Sequence, residues 1–193
     1  MLPRRAILLM LLLLAAPARA TVVLEVGLDD MSRTSDVIFH GVVTRTDVVA
    51  VGGDATRLVT DVTFSLTEVL KGRALVPEPS FTLRLIGGQR GGLELRIPGM
   101  PRFSEGDEVV MFLERTEGGF AITGLSQGRF EVRVDAETGE RVVDRSLGSV
   151  GVARFGAGGE FEMTEAPASL VRYPLANLLD EVRHWIAEDG VAR

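Results

Sequence analysis

A serine framed by glycines, Gly124-Leu-Ser-Gln-Gly128, matches the G-x-S-x-G spacing of serine hydrolases. That spacing works where the serine sits on a tight turn between a strand and a helix, beside an oxyanion hole. Here Arg129 to Val134 alternate apolar and polar residues, so a strand follows and the segment reads as a glycine turn between two strands. The candidate bases are His40 and His184, and His184 falls on a predicted terminal helix. No catalytic residue is assigned; a hydrolase using Ser126 is carried as an alternative. With two histidines and no cysteine, zinc ligation is not expected. Asp135, Glu137 and Glu140 crowd one turn but lack the oxygen spacing of a calcium loop, and read as a solvated hairpin tip. Asp29, Asp30, Glu160, Glu162 and Glu165 read as exposed charge. No metal and no cofactor is expected.

Arg84, Arg90 and Arg96 form a candidate anion or carboxylate patch around the loop Gly87-Gly-Gln-Arg-Gly-Gly92. Glu94 shares that face, and cross-strand ion pairing accounts for the same residues. The loop opens no helix and carries no Lys-Ser or Lys-Thr, so it is not a phosphate loop.

The elements that position these residues read as strands. In Thr60 to Gly72, Val62, Phe64 and Leu66 alternate with Asp61, Thr63, Ser65 and Thr67, one face dry and one wet. Thr21 to Val26 reads as a short first strand and Leu28 to Thr34 as one or two helical turns ended by Ser35-Asp36. Val37 to Val43 and Glu108 to Glu114 are apolar on both faces, as central strands are. A turn at Gly52-Gly53 predicts Val43 opposite Val62, Gly41 opposite Phe64 and Phe39 opposite Leu66, with His40 on the other face. A three-residue turn would carry His40 to the Leu66 face. Phe81 to Ile86 and Leu93 to Ile97 are expected to pair as a second hairpin. Phe120 to Leu125, Arg129 to Asp135 and Arg141 to Asp144 continue the meander.

Composition turns glycine-rich between Ser146 and Ser169, expected as an extended, partly mobile segment. A helix then starts near Pro174, with Leu175, Leu178, Leu179, Val182, Trp185 and Ile186 on one stripe and Gly190 as its stop. It is expected to cover one open end of a barrel, or else to bind a partner.

The chain has 193 residues and a formal charge of −6. Arg4 and Arg5, the apolar run Ala6 to Ala16 and the small residues of Ala18-Arg19-Ala20 predict a signal peptide over 1–20, cleaved between Ala20 and Thr21. Removing Arg4, Arg5 and Arg19 from 21 basic residues leaves 18 against 27 acidic ones, near −9. That balance argues against nucleic acid as a partner, and no later segment is apolar enough to span a membrane. Without cysteine there is no disulfide, so the core alone must hold the fold. The organisation expected is a β-barrel domain over 21–145, the glycine-rich segment over 146–169, and a helix over 170–193 packed on the barrel.

Three segments together carry a resemblance: Ser35-Asp-Val-Ile-Phe-His-Gly-Val-Val43, Val62-Thr-Phe-Ser-Leu-Thr-Glu-Val-Leu-Lys-Gly72 and Phe103-Ser-Glu-Gly-Asp-Glu-Val-Val-Met-Phe-Leu113. In order and spacing they resemble bacterial exported proteins related to the netrin module and the tissue inhibitors of metalloproteinases. The resemblance implies a mainly β fold, a small closed or partly open antiparallel barrel of the oligonucleotide/oligosaccharide-binding (OB) type. The animal inhibitors chelate protease zinc through an N-terminal cysteine, which this chain lacks, so no functional residue carries over. The function expected is an exported, periplasmic or extracellular, non-catalytic module binding another exported protein or an envelope ligand. Protease inhibition is the alternative that the resemblance suggests.

Overall fold

The computed structural model describes residues 22–145, 151–155, 161–164 and 170–192, with side chains described over 24–145 and 173–190. The expected cleavage point at Ala20 and Thr21 lies outside the described residues.

The fold is mainly β. Two 14-residue strands, β2 (Val37–Ala50) and β3 (Leu58–Lys71), form its spine. β1 (Val22–Leu24) and helix α1 (Leu28–Thr34) precede them. There follow β4 (Ser80–Ile86), β5 (Gly88–Arg90), β6 (Leu93–Leu95), β7 (Glu108–Thr116), β8 (Gly119–Ile122), β9 (Arg129–Val134) and β10 (Arg141–Arg145). Within the glycine-rich stretch, β11 (Gly151–Phe155) and β12 (Phe161–Thr164) pair with each other, and β11 pairs parallel with β1. β13 (Leu170–Pro174) leads into the closing helix α2 (Leu175–Ala192). The main sheet runs β13-β10-β9-β7-β2-β3-β4, and β8 pairs with the upper half of β7.

β2 and β3 pair as expected, but not in the expected register. The connection is longer than two residues. Val51 donates to the Arg57 carbonyl at 2.9 Å, and Asp54 accepts from the Thr56 amide, so the strand resumes only at Leu58. Bulges at Thr44, Thr67 and Leu70 then shift the ladder. Val43 faces Phe64, Gly41 faces Leu66 and Phe39 faces Val69. From Gly41 to Val43 the slip is an even two residues, which leaves every side chain on its expected face. His40 accordingly lies opposite the Phe39 and Leu66 face. Gly41 makes room for the β3 backbone rather than for the Phe64 ring: a Cβ there would stand 2.6 Å from the Ser65 carbonyl oxygen.

The hairpin expected between Phe81–Ile86 and Leu93–Ile97 is not formed. β4 pairs along its length with β3, Val62 facing Leu83 and Asp61 facing Arg84, while β6 folds back on the three-residue β5. Edge to edge, Leu83 stands beside Val62 and Phe81 beside Phe64, so the apolar residues of β4 extend the β3 face into one core, which leaves the glycine loop to close a small hairpin on itself.

The sheet buries both faces of β2 and β7. One face gathers Phe39, Phe64, Val62, Leu83, Val109 and Met111 into a core. Its rings meet edge-on, Phe39 to Phe64 at 5.2 Å and Phe64 to Phe103 at 5.6 Å between centroids. The other face, through Ile38, Val110 and Phe112, packs on Met31 of α1 and on Leu175, Leu178, Leu179 and Val182 of α2. The terminal helix thus lies across a sheet face rather than over a barrel end. It also runs through Gly190 to Ala192 instead of stopping there. The lone lysine ties the layers together: Lys71 Nζ donates to the Ser32 and Arg33 carbonyls at 2.9 and 2.7 Å, capping the negative end of α1.

Candidate binding cleft

Four antiparallel pairings separate β4 from β8: β4 with β3, β3 with β2, β2 with β7, and β7 with β8. An even number of reversals makes β4 and β8 run in the same direction. They meet where Phe81 and Phe120 stack edge-on at 5.5 Å. Among the described residues no backbone hydrogen bond joins them. The sheet is therefore open at this seam.

The ladders say which groups face it. Gly87 donates to the Leu58 carbonyl and Leu66 to the Pro79 carbonyl, so the odd-numbered residues of β4 bond to β3. The amides and carbonyls of Thr82, Arg84 and Ile86 point the other way, into the seam. Across it, Thr123 donates to the Phe112 carbonyl, and Glu117-Gly118 forms a two-residue turn. The backbone groups of Phe120 and Ile122 thus point away from β7 and toward β4.

Between the strands lies a cleft of about 460 Å³, lined by Val59, Leu83, Leu85, Met100, Phe120 and Ile122 among others. Its rim carries two large apolar side chains in water, Ile86 at 61% and Leu125 at 36% exposure. A second hollow of about 190 Å³, under the β5–β6 hairpin, shares Leu85, Ile86 and Met100 with it. Sequence reading passed over the seam because each strand, taken alone, reads as an ordinary paired strand. The one local signal was the Glu117-Gly-Gly119 turn, which makes β8 too short to cover β4.

The residues singled out by type fall elsewhere. Ser126 sits on a 3-10 turn, Leu125–Gly128, that leads into β9, and it is buried. Backbone strain at that turn falls on Leu125, at φ 62°, and not on the serine. His40 contacts Glu108 and Arg141, and His184 contacts Glu188 on the exposed side of α2. Asp135 Oδ1 accepts from the Glu137 and Thr138 amides, which shapes the β9–β10 tip. No group of three metal-ligating side chains occurs among the described residues. Glu160 and Glu165 lie outside them. Of the arginines, Arg84 makes a two-pronged bond to Asp61 at 2.7 and 2.7 Å, and Arg96 approaches Glu94 at 3.4 Å, where Arg102 also pairs. Arg90 is exposed at the hairpin tip. Arg84 lines the cleft and Arg96 the smaller hollow.

On the helical side of the sheet, His40 is buried at 3% exposure with Nε2 at 2.7 Å from Glu108 Oε1. Arg141 approaches the same nitrogen at 3.1 Å and also pairs with Glu108. One ring nitrogen cannot donate to a carboxylate and accept from a guanidinium together. Its proton therefore goes to Glu108, which also takes Arg141. Burial, and then the Arg141 charge, hold the imidazole below its ordinary 6.5 against an opposing pull from Glu68. The unfolded chain thus binds this proton more readily than the folded one. The contribution is complete above about pH 6.5 and is lost as pH falls through the lowered value. The urea midpoint of the wild type should drop as pH goes from about 7 to about 5, and His40→Gln should flatten that drop. An identical decline in both proteins would remove His40 as its source.

Gln127, at 1% exposure, and Arg145, at 4%, make a buried polar clamp that sequence reading did not anticipate. Gln127 Oε1 accepts from the Val26 amide at 2.9 Å and Nε2 donates to the Leu24 carbonyl at 2.7 Å. Arg145 donates to the Gln127 and Val26 carbonyls, both at 2.9 Å, and lies over the Phe130 ring. Desolvation pushes its guanidinium down to about 10, so it stays charged at neutral pH. Among the described residues, no helix is long and apolar enough to cross a membrane. No family model matches the chain, and no curated protein matches it in sequence.

Proposed function

We propose that this chain is an exported, non-catalytic binding module that holds another exported protein or an envelope ligand in the cleft between β4 and β8. The observation that carries the reading is the open seam itself. Two strand edges whose outward backbone groups pair with no other strand among the described residues flank an apolar cleft, and Ile86 and Leu125 stand exposed on its rim. Single exposed apolar side chains are common on folded proteins; what marks this place is that Ile86 and Leu125 border one apolar cleft. Export rests on Arg4, Arg5, the Ala6 to Ala16 run and the Ala18-Arg19-Ala20 site. The strand order β4-β3-β2-β7-β8 around Phe39 and Phe64 supports a partly open OB-like barrel and the relation to the netrin module.

The test is affinity capture from an envelope fraction with the wild type and with Ile86→Glu and Leu125→Glu. Both variants change exposed side chains and should fold normally. A partner retained by the wild type, rebinding after purification, and weakened about tenfold or more by either charge supports the reading. Equal retention by all three proteins counts against the cleft. A metalloprotease as the captured partner would turn the reading toward inhibition.

A further inference from the structure

We propose that the cleft takes its partner as an extended polypeptide strand, added antiparallel to the free edge of β4 with β8 as the opposite wall. The inference rests on the binding reading above and names the chemistry of the ligand. Thr82, Arg84 and Ile86 present amides and carbonyls at every second residue, the repeat of a β-ladder. Only another peptide backbone matches that spacing along its length. Antiparallel addition is the choice because antiparallel ladders are slightly more stable per residue than parallel ones, and it suits both walls. β4 and β8 run the same way, so a strand antiparallel to one is antiparallel to both. It would bond to Arg84 and Ile86 on the β4 side and reach Ile122 on the other, past the end where Phe81 and Phe120 already touch.

The seam also selects what kind of strand can enter. β8 stands beside the β4 edge, in ring contact through Phe81 and Phe120, so the edge is recessed. A second folded copy would bring its own sheet against β8, whereas a single flexible segment fits between the two strands. Side chains of the entering strand alternate in direction. Those turned inward meet Leu83, Leu85 and Ile122, all buried, and must be apolar. Those turned outward sit beside Thr82, Arg84 and Ile86 and can be polar. Arg84 is already neutralised by Asp61, so the site does not ask for an acidic peptide. The partner is an unstructured terminus or loop of alternating apolar and polar residues.

The test uses isothermal titration calorimetry with one probe, an acetylated peptide of alternating valine and threonine, about seven residues long with a lysine at each end. It is titrated into the wild type, Arg84→Ala and Arg84→Pro. Alanine keeps the backbone amide that faces the seam. Proline removes it, yet spares the β3 ladder, because the Arg84 amide points away from β3. Thermal melts of both variants check that the fold survives; should Arg84→Pro fail that check, Ile86→Pro, read against Ile86→Ala, removes the neighbouring seam amide in its place. Binding by the wild type, changed less than about threefold by alanine and weakened about tenfold or more by proline, supports the inference. No binding by the wild type, or equal binding by a folded proline variant, overturns it. Wild-type self-association in sedimentation, lost with proline, assigns the edge to a second copy and overturns it as well. If the peptide fails while Ile86→Glu still abolishes capture, strand addition falls and the binding reading stands.

Discussion

Phe64→Ala should cost about 3–5 kcal/mol in denaturant unfolding and lower the melting temperature by roughly 10 °C. Phe64 is fully buried on β3, faces Val43 across the ladder, and meets the rings of Phe39 and Phe103 edge-on. Truncation removes the transfer energy of the ring and leaves a void between β2, β3 and the 103 region. Each of those strands is hydrogen-bonded to a neighbour on both sides and cannot close over it, so little of the loss is recovered. Phe64→Leu, which keeps most of the volume, should cost about 1–2 kcal/mol. Total stabilities are commonly about 5–15 kcal/mol, so the alanine variant sits near the edge of folding. A loss under about 1 kcal/mol would mean that this face of the sheet is not a dry core.

Gln127→Leu comes next, with an expected loss of about 2–4 kcal/mol. The leucine fills similar space, so packing changes little and the effect isolates the hydrogen bonds. It takes a partner from three groups: the part-buried Val26 amide and Leu24 carbonyl, and the buried Arg145 guanidinium, which loses one bond. Unlike the Phe64 change, this loss should be local in origin. Hydrogen exchange at the Val26 amide should speed up before the β2–β3–β7 amides do, because the clamp holds the chain leading into α1. Unchanged protection at Val26 would show that something other than Gln127 holds this segment.

The two predictions divide along the line between pattern and assembly. Alternation in Val62, Phe64 and Leu66 placed that face in a core, and the two-sided apolar runs at Val37 to Val43 and Val109 to Leu113 became the two central strands. Those assignments were legible because hydrophobic burial acts on each strand separately and needs no knowledge of its neighbour. The stripe of α2 was legible for the same reason. Gln127 and Arg145 were not: a polar residue looks solvent-exposed until a distant segment supplies its partners. Here those partners come from about a hundred residues away, at Leu24 and Val26.

What the chain determined by itself was its mainly β character, the identity of its dry faces, the α1 and α2 helices and the absence of covalent staples. Pairing was decided only in three dimensions. The β2–β3 register depended on bulges that reflect the twist of the whole sheet, and β4 chose β3 over β6 because a broad apolar face outcompetes a short glycine hairpin. The seam between β4 and β8 was decided last, since its existence depends on how many strands reverse between them and on how short β8 is. No single segment carries that count, and so the feature on which the proposed function rests belongs to the tertiary structure alone.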